Sequence, residues 1–450
     1  IPCADFGESF EIAGEGFFSD FEGDDAKVAV YLACRDDRGA LSDTLVQHVG
    51  IKNFSPVLGL VSDFDPEKNL QREFIDAAGE VTDDGSAAVD TLFWNWGAMT
   101  FDMFAYEPDG RETMNTFYRY TLADELPDST YWAGDPKADP ETAWVAMSFA
   151  DTQPGSPTGL EDFPVFSIFF ADVLPGERTL TVSVKDEANA ETLFRYSWIV
   201  RAPKGPVLYI PDVSSSATKG FYRDYLDQYF GVGGWDEYSF WKGFPEEDSI
   251  LSETFRKFDL VLWTDSGTAS ENLAAAAKGD GLLSKYLPEG PGMEGGRLLL
   301  VSRVLTGTRK VLSNPFLITR IGVSPTGSPA TQLRMQTGNQ ALGLHPHLSS
   351  FTSTKTSTDA GVGLKLTDSQ GEPYLDNEIL YRMEECSSCY GDPRRPQPPY
   401  DPVVGVRVPS RTTQGLAWLV GISLQLDDFD RTEAFAALDV ILSQELGVAP

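Results

Sequence analysis

The chain has 450 residues, 41% hydrophobic and 12% aromatic, enough for two or three domains with proper cores. Its 68 acidic residues outnumber 35 basic ones, for a formal net charge of −33. So acidic a chain repels phosphate backbones, which argues against nucleic acid as a partner. No apolar run reaches the ~18 residues of a membrane helix, so no transmembrane segment is expected.

In chain order, the first readable element is KVAVYLACRDDRGALSDTLVQHVGIKN (Lys27–Asn53). Val28, Val30 and Leu32 alternate, a polar turn runs from Arg35 to Gly39, and a second run comes after it, which predicts a hairpin. The turn Asp36-Asp37-Arg38-Gly39-Ala40-Leu41-Ser42 resembles the closing hairpin of bacterial immunoglobulin-like domains. Residues 1–56 therefore read as a partial Ig-like segment. The start at Ile1 is expected to be that of a trimmed or processed form.

Residues 57–202 read as a fuller β-sandwich. Leu92–Leu122 holds two strands around a Pro-Asp-Gly turn at Pro108–Gly110, and Phe163–Val200 holds three more. Glu107–Gly110 with Tyr118-Arg119-Tyr120, then Leu174-Pro175-Gly176-Glu177, resemble immunoglobulin-like and fibronectin-type-III-like modules of secreted bacterial proteins. Trp94, Trp96, Trp132 and Trp144 lie in or near this module, and read either as core or as a sugar-stacking face. The Pro/Gly linker Arg201–Pro206 marks the expected domain boundary.

Beyond it the pattern changes. Pro206–Asp212, Phe258–Gly267 and Gly295–Arg303 carry continuous apolar runs. Between them lie a helix over Phe221–Phe230, with Phe221, Tyr225, Leu226 and Tyr229 on one face, and another over Leu273–Leu287. Continuous rather than alternating runs predict a parallel sheet covered on both faces. These pieces, with Phe316–Val323 and the closing strand and helix within Gly415–Leu446, resemble the class I glutamine amidotransferase-like fold, a flavodoxin-like parallel sheet. The expected domain spans 206–450, with a polar, β-rich insertion around 324–414.

That resemblance implies a nucleophilic Cys at the turn after Leu298–Val301 and a His near the C-terminus. Ser302 stands there instead, and no His comes after His347, so the triad is not carried over. Ser302 is expected to have no His in reach, and the chain no glutaminase activity. His345 and His347 alternate around Pro346, which could point two imidazoles at one metal ion or merely mark a surface loop. Cys386 and Cys389 form a C-x-x-C before a proline-rich loop, read as a disulfide staple rather than a redox pair or half a zinc site. Cys3 lies near the start, but Pro2 argues against lipidation there. Among the acid clusters, including Asp427, Asp428 and Asp430, none matches a calcium loop, although calcium stays open as a cofactor.

The sequence thus describes a multidomain β plus α/β chain. The reading is a non-catalytic exported or cell-surface bacterial protein, periplasmic or extracellular, with a binding or assembly role toward an unknown protein or glycan. Export is inferred from the resemblance to secreted modules together with few cysteines and high acidity. The alternatives are a hydrolase or transferase with an unrecognised site in the α/β domain, and a carbohydrate- or calcium-binding adhesin-like module.

Overall fold

The computed structural model describes residues 25–33, 38–41, 43–52, 55–60, 71–78, 80–82, 88–106, 116–122, 143–147, 165–171, 173–186, 189–240, 248–265, 271–277, 281–287, 296–303, 324–325, 332–366, 377–384, 403–410 and 415–450. Cys3, Cys34, Cys386, Cys389 and the segment Phe316–Val323 lie outside these. The fold is β-rich and built from several sheets. Two compact units form, one from residues 1–66, 100–170 and 176–200, the other from 67–99, 171–175 and 201–450.

In the first unit, β1 (Asp25–Leu32) and β2 (Leu45–Lys52) make an antiparallel hairpin. Strands β3 (Val57–Leu60), β7 (Met99–Tyr106) and β10 (Val165–Phe170) form one sheet in the order β10-β7-β3. A second sheet contains β8 (Phe117–Thr121), β9 (Val145–Ala146), β11 (Gly176–Lys185) and β12 (Glu191–Val200), in the order β12-β11-β8-β9. The core comes from period-two alternation. Phe101, Met103 and Ala105 of β7 are buried, as are Leu180, Val182 and Val184 of β11. Tyr118 stacks on Phe166 with ring centroids 4.1 Å apart, and Phe101 meets Tyr196 and Trp198, each at 5.5 Å.

The second unit begins with β4 (Gln71–Ile75), β5 (Val81–Thr82) and β6 (Asp90–Asn95), an antiparallel set in the order β5-β4-β6. These residues make contacts with residues beyond the linker. Trp96 lies 5.8 Å from Tyr238 and 5.6 Å from Phe258, ring to ring. The Gln71 side chain exchanges two hydrogen bonds with the Ser239 backbone. Arg201 pairs with Glu73 and lies over the Trp94 ring at 4.3 Å. Long polar and aromatic side chains make these contacts, and periodicity carries no information about them.

The α/β part comes next. Its elements are β13 (Val207–Asp212), α1 (Ser216–Phe230), β14 (Asp236–Glu237), α2 (Asp248–Phe255), β15 (Leu260–Asp265), α3 (Glu271–Ala276), α4 (Leu282–Tyr286) and β16 (Leu298–Ser302). Eight further strands complete the insertion: β17 (Ser324–Pro325), β18 (Gln332–Met335), β19 (Gln340–Gly343), β20 (Phe351–Thr352), β21 (Ser357–Val362), β22 (Leu364–Lys365), β23 (Glu378–Met383) and β24 (Val403–Pro409). The chain closes with β25 (Ala417–Ile422), α5 (Arg431–Val440) and a π-helical turn, Ile441–Glu445. Strands β14, β13, β15, β16 and β25 run parallel in that order, and β24, β23, β19 and β20 extend the sheet antiparallel.

Every residue of β15 and β16 is buried, because helices cover both faces. On one face Phe435 of α5 meets Phe221 and Tyr225 of α1, each at 5.1 Å. On the other, Phe255 of α2 packs on Trp263 and on Tyr286 of α4. The expected single helix over Leu273–Leu287 is instead two, α3 and α4, the second capped by Gly281. The linker is also tied down: Lys204 N donates to Asp236 at 2.6 Å, and a Cβ at Gly205 would sit 1.7 Å from the Gly234 carbonyl oxygen. The obstacle is backbone, so Gly205→Ala is expected to cost about 1–3 kcal/mol of stability in urea denaturation.

Candidate functional site

Parallel strands all end at one edge of a sheet. The last residues of β13, β15 and β16 are Asp212, Asp265 and Ser302, and the register places them side by side. Three polar residues therefore terminate three apolar runs on adjacent strands. Ser302 Oγ donates to Asp265 Oδ2 at 2.9 Å, and both residues are buried. Asp212 accepts from Asn272 Nδ2 at 3.0 Å and from Trp263 Nε1 at 3.4 Å.

The same edge receives the start of α1. Ser215 caps the helix, its hydroxyl accepting from Thr218 N at 3.2 Å. Thr218 Oγ1 donates to Asp427 at 2.9 Å and accepts from Gln425 Nε2 at 3.4 Å, and Gln425 in turn accepts from Arg303 at 2.8 Å. The Asp427 charge, after burial itself, raises the pKa of the Tyr222 phenol beside it. Below them Thr264 Oγ1 donates to Tyr209 OH at 3.3 Å, and burial raises the Tyr209 phenol as well. The edge is therefore a set of hydroxyls, carboxylates and amides already bonded to one another.

The histidines lie elsewhere. His345 and His347 have ring centroids 5.6 Å apart. His347 Nε2 bonds Glu445 Oε1 at 2.6 Å, and His345 Nε2 stands 4.0 Å from Glu378. Arg407 of β24 sits between the acids, bonded to Glu378 at 2.9 Å and to Glu445. Arg407 aligns with Val420, which aligns with Leu299, three residues before Ser302. That puts Arg407 two strands across and three residues along from Ser302, roughly 10 Å in each direction. A guanidinium in the middle of this cluster opposes a metal cation. Among the described residues no group of three or more His, Cys, Asp or Glu is arranged to hold a metal ion.

The acid run near the C-terminus is also committed to the fold. Asp427 holds Thr218, Asp428 pairs with Lys355 at 2.7 Å, and Asp430 caps α5 by accepting from Thr432 N and Glu433 N. Trp94 and Trp96 are buried, Trp132 lies outside the described residues, and Trp144 is partly exposed. The Cys386–Cys389 pair lies outside the described residues too. No sequence signal marks Glu445: it looks like any surface helix acid until the fold buries it completely. No family model matches the sequence, and no curated protein matches it significantly.

Glu445 is fully buried and holds both His347 and Arg407. Replacing it by Ala leaves a largely buried guanidinium with Glu378 and a long bond to the Gly415 carbonyl, so Glu445→Ala is expected to cost about 3 kcal/mol. Chemical denaturation monitored by tryptophan fluorescence measures it.

Proposed function

We propose that this chain is a non-catalytic exported protein with a binding or assembly role, in which antiparallel modules accompany a degenerate amidotransferase-like α/β unit. The observation that carries the reading is the state of Ser302. A nucleophile must stand exposed at its turn with a base to take its proton. Ser302 is 0% exposed and gives its hydrogen bond to the Asp265 carboxylate. Of the imidazoles in the α/β part, His347 is bonded to Glu445 at 2.6 Å and His345 stands 4.0 Å from Glu378.

The order of the parallel strands supports the family reading. Numbered along the chain from β13, leaving out the insertion, they stand 2-1-3-4-5, the flavodoxin-like order. Export is supported by the resemblance of the antiparallel modules to secreted ones. Among the described residues no helix is long and apolar enough to cross a membrane.

Incubation with glutamine, and with chromogenic amide, ester and glycoside substrates, is expected to give product at the buffer rate for both the wild-type protein and Ser302→Ala. Ammonia release that vanished in Ser302→Ala would sink the reading.

A further inference from the structure

The turn joining β11 to β12 brings a lysine amine against a side-chain amide. Lys185 ends β11 and Glu191 begins β12, directly opposite each other in the register. Asn189 lies in the turn between them, and its Oδ1 accepts from Lys185 Nζ at 2.9 Å. Three hydrogen bonds of the fully buried Asp186 close this turn. Asp186 N donates to the Ala190 carbonyl and its own carbonyl accepts from Asn189 N, each at 3.2 Å. Its Oδ1 accepts from Ala190 N at 2.9 Å. Asn189 has a φ of 64°, a left-handed conformation that asparagine tolerates better than most residues.

Two rings lie against the amine. Lys185 Nζ is 4.7 Å from the Trp144 ring centroid and 5.7 Å from that of Phe117. Ala143, just before Trp144, has a φ of 59°, so the indole is set in place by strained backbone. Arg119 Cζ lies 4.1 Å from the same indole, which crowds a second cation beside the lysine. Burial, and then the Arg119 charge, lowers the Lys185 pKa against the pull of Glu191 and Asp186. A lysine desolvated beside another cation is an activated nucleophile. Lys355 is the contrast: it also touches a side-chain carbonyl group, but its bond to Asp428 raises its pKa and keeps it charged.

We propose that Lys185 and Asn189 become joined by an intramolecular isopeptide bond that the folded chain forms on itself. The neutral Lys185 amine attacks Asn189 Cγ, the carbon bearing the oxygen it already touches. The Cγ–Nδ2 bond then breaks, and Nδ2 leaves as ammonia with one proton from the amine. One amide replaces another, so neither oxidant nor reductant is required. Glu191, opposite Lys185, is the carboxylate placed to take the amine proton and return it to the departing nitrogen. Contact between the two groups supplies the effective concentration. Because ammonia is lost to solvent, a small neutral fraction of Lys185 suffices and product accumulates with time. The reaction uses no residue of the α/β part, so it stands whatever Ser302 does.

The test is intact mass spectrometry of the full chain, incubated at neutral and at alkaline pH. A species lighter than the sequence mass by one ammonia is expected, forming faster at alkaline pH. Acylated Lys185 resists trypsin, so Thr179–Arg195 is expected as one peptide, lighter by the same ammonia and cross-linked between Lys185 and Asn189. Lys185→Arg keeps a cation against Trp144 but carries no attacking amine, and Asn189→Asp keeps a residue suited to the turn but has no ammonia to lose. Both variants are expected to hold the wild-type melting temperature and to show no mass loss. The wild-type peptide decides the question even if a variant fails to fold. An unchanged mass after long alkaline incubation, or ordinary tryptic cleavage after Lys185 throughout, overturns the inference. So does a loss of ammonia that persists in Lys185→Arg, or conversion of Asn189 to aspartate in place of the cross-link.

Discussion

Burial of β13, β15 and β16 on both faces is the constraint on which the second unit depends. Leu260 to Trp263 and Leu298 to Val301 are almost wholly removed from water. Each such side chain contributes roughly 1.5–3 kcal/mol when buried. Strands with two apolar faces need two layers of cover, and the chain supplies α1 with α5 on one side and α2 with α4 on the other. Parallel strands then place all their ends along one edge, which is why Asp212, Asp265 and Ser302 meet there.

The same burial dictates how polar groups are handled. A hydroxyl or carboxylate taken from water without a partner is costly. At the edge of the sheet Ser302 therefore serves Asp265, Thr264 serves Tyr209, and Thr218 serves Asp427. Further along the same sheet, Glu445 is fully buried and is held by one guanidinium and one imidazole. That arrangement ties the final π-helical turn to β24 and to the turn carrying His347. A group with the residue types of a reactive site is thus used as a fastening.

In the first unit the two faces of one sheet do different work. The inward residues of β8, β11 and β12 make an aromatic and aliphatic core, with Tyr118, Val182 and Trp198 buried. The outward residues gather cations around Trp144. Alternation along a strand is what allows one short segment to serve both purposes.

Much of this was legible in the sequence. The apolar runs at Val207–Asp212, Leu260–Trp263 and Leu298–Val301 are strands, and Phe221, Tyr225 and Leu226 face the core of α1 as their spacing requires. The strand pair flanking Arg35–Gly39 is antiparallel, as alternation and the polar turn suggest. These features are local, so hydrophobic period and turn chemistry suffice to encode them. Three others were not local. Residues 67–99 join the second unit because Gln71, Glu73 and Trp96 find partners at Ser239, Arg201 and Tyr238. His345 and His347 belong to Glu378, Arg407 and Glu445, up to 98 residues away along the chain. Trp144 meets Arg119 and Lys185 only because β8 lies between β9 and β11. Period and propensity describe a residue by its neighbours in sequence. Whether an acid is a solvated charge or a buried fastening depends on what the folded chain brings beside it, and that was decided by tertiary structure alone.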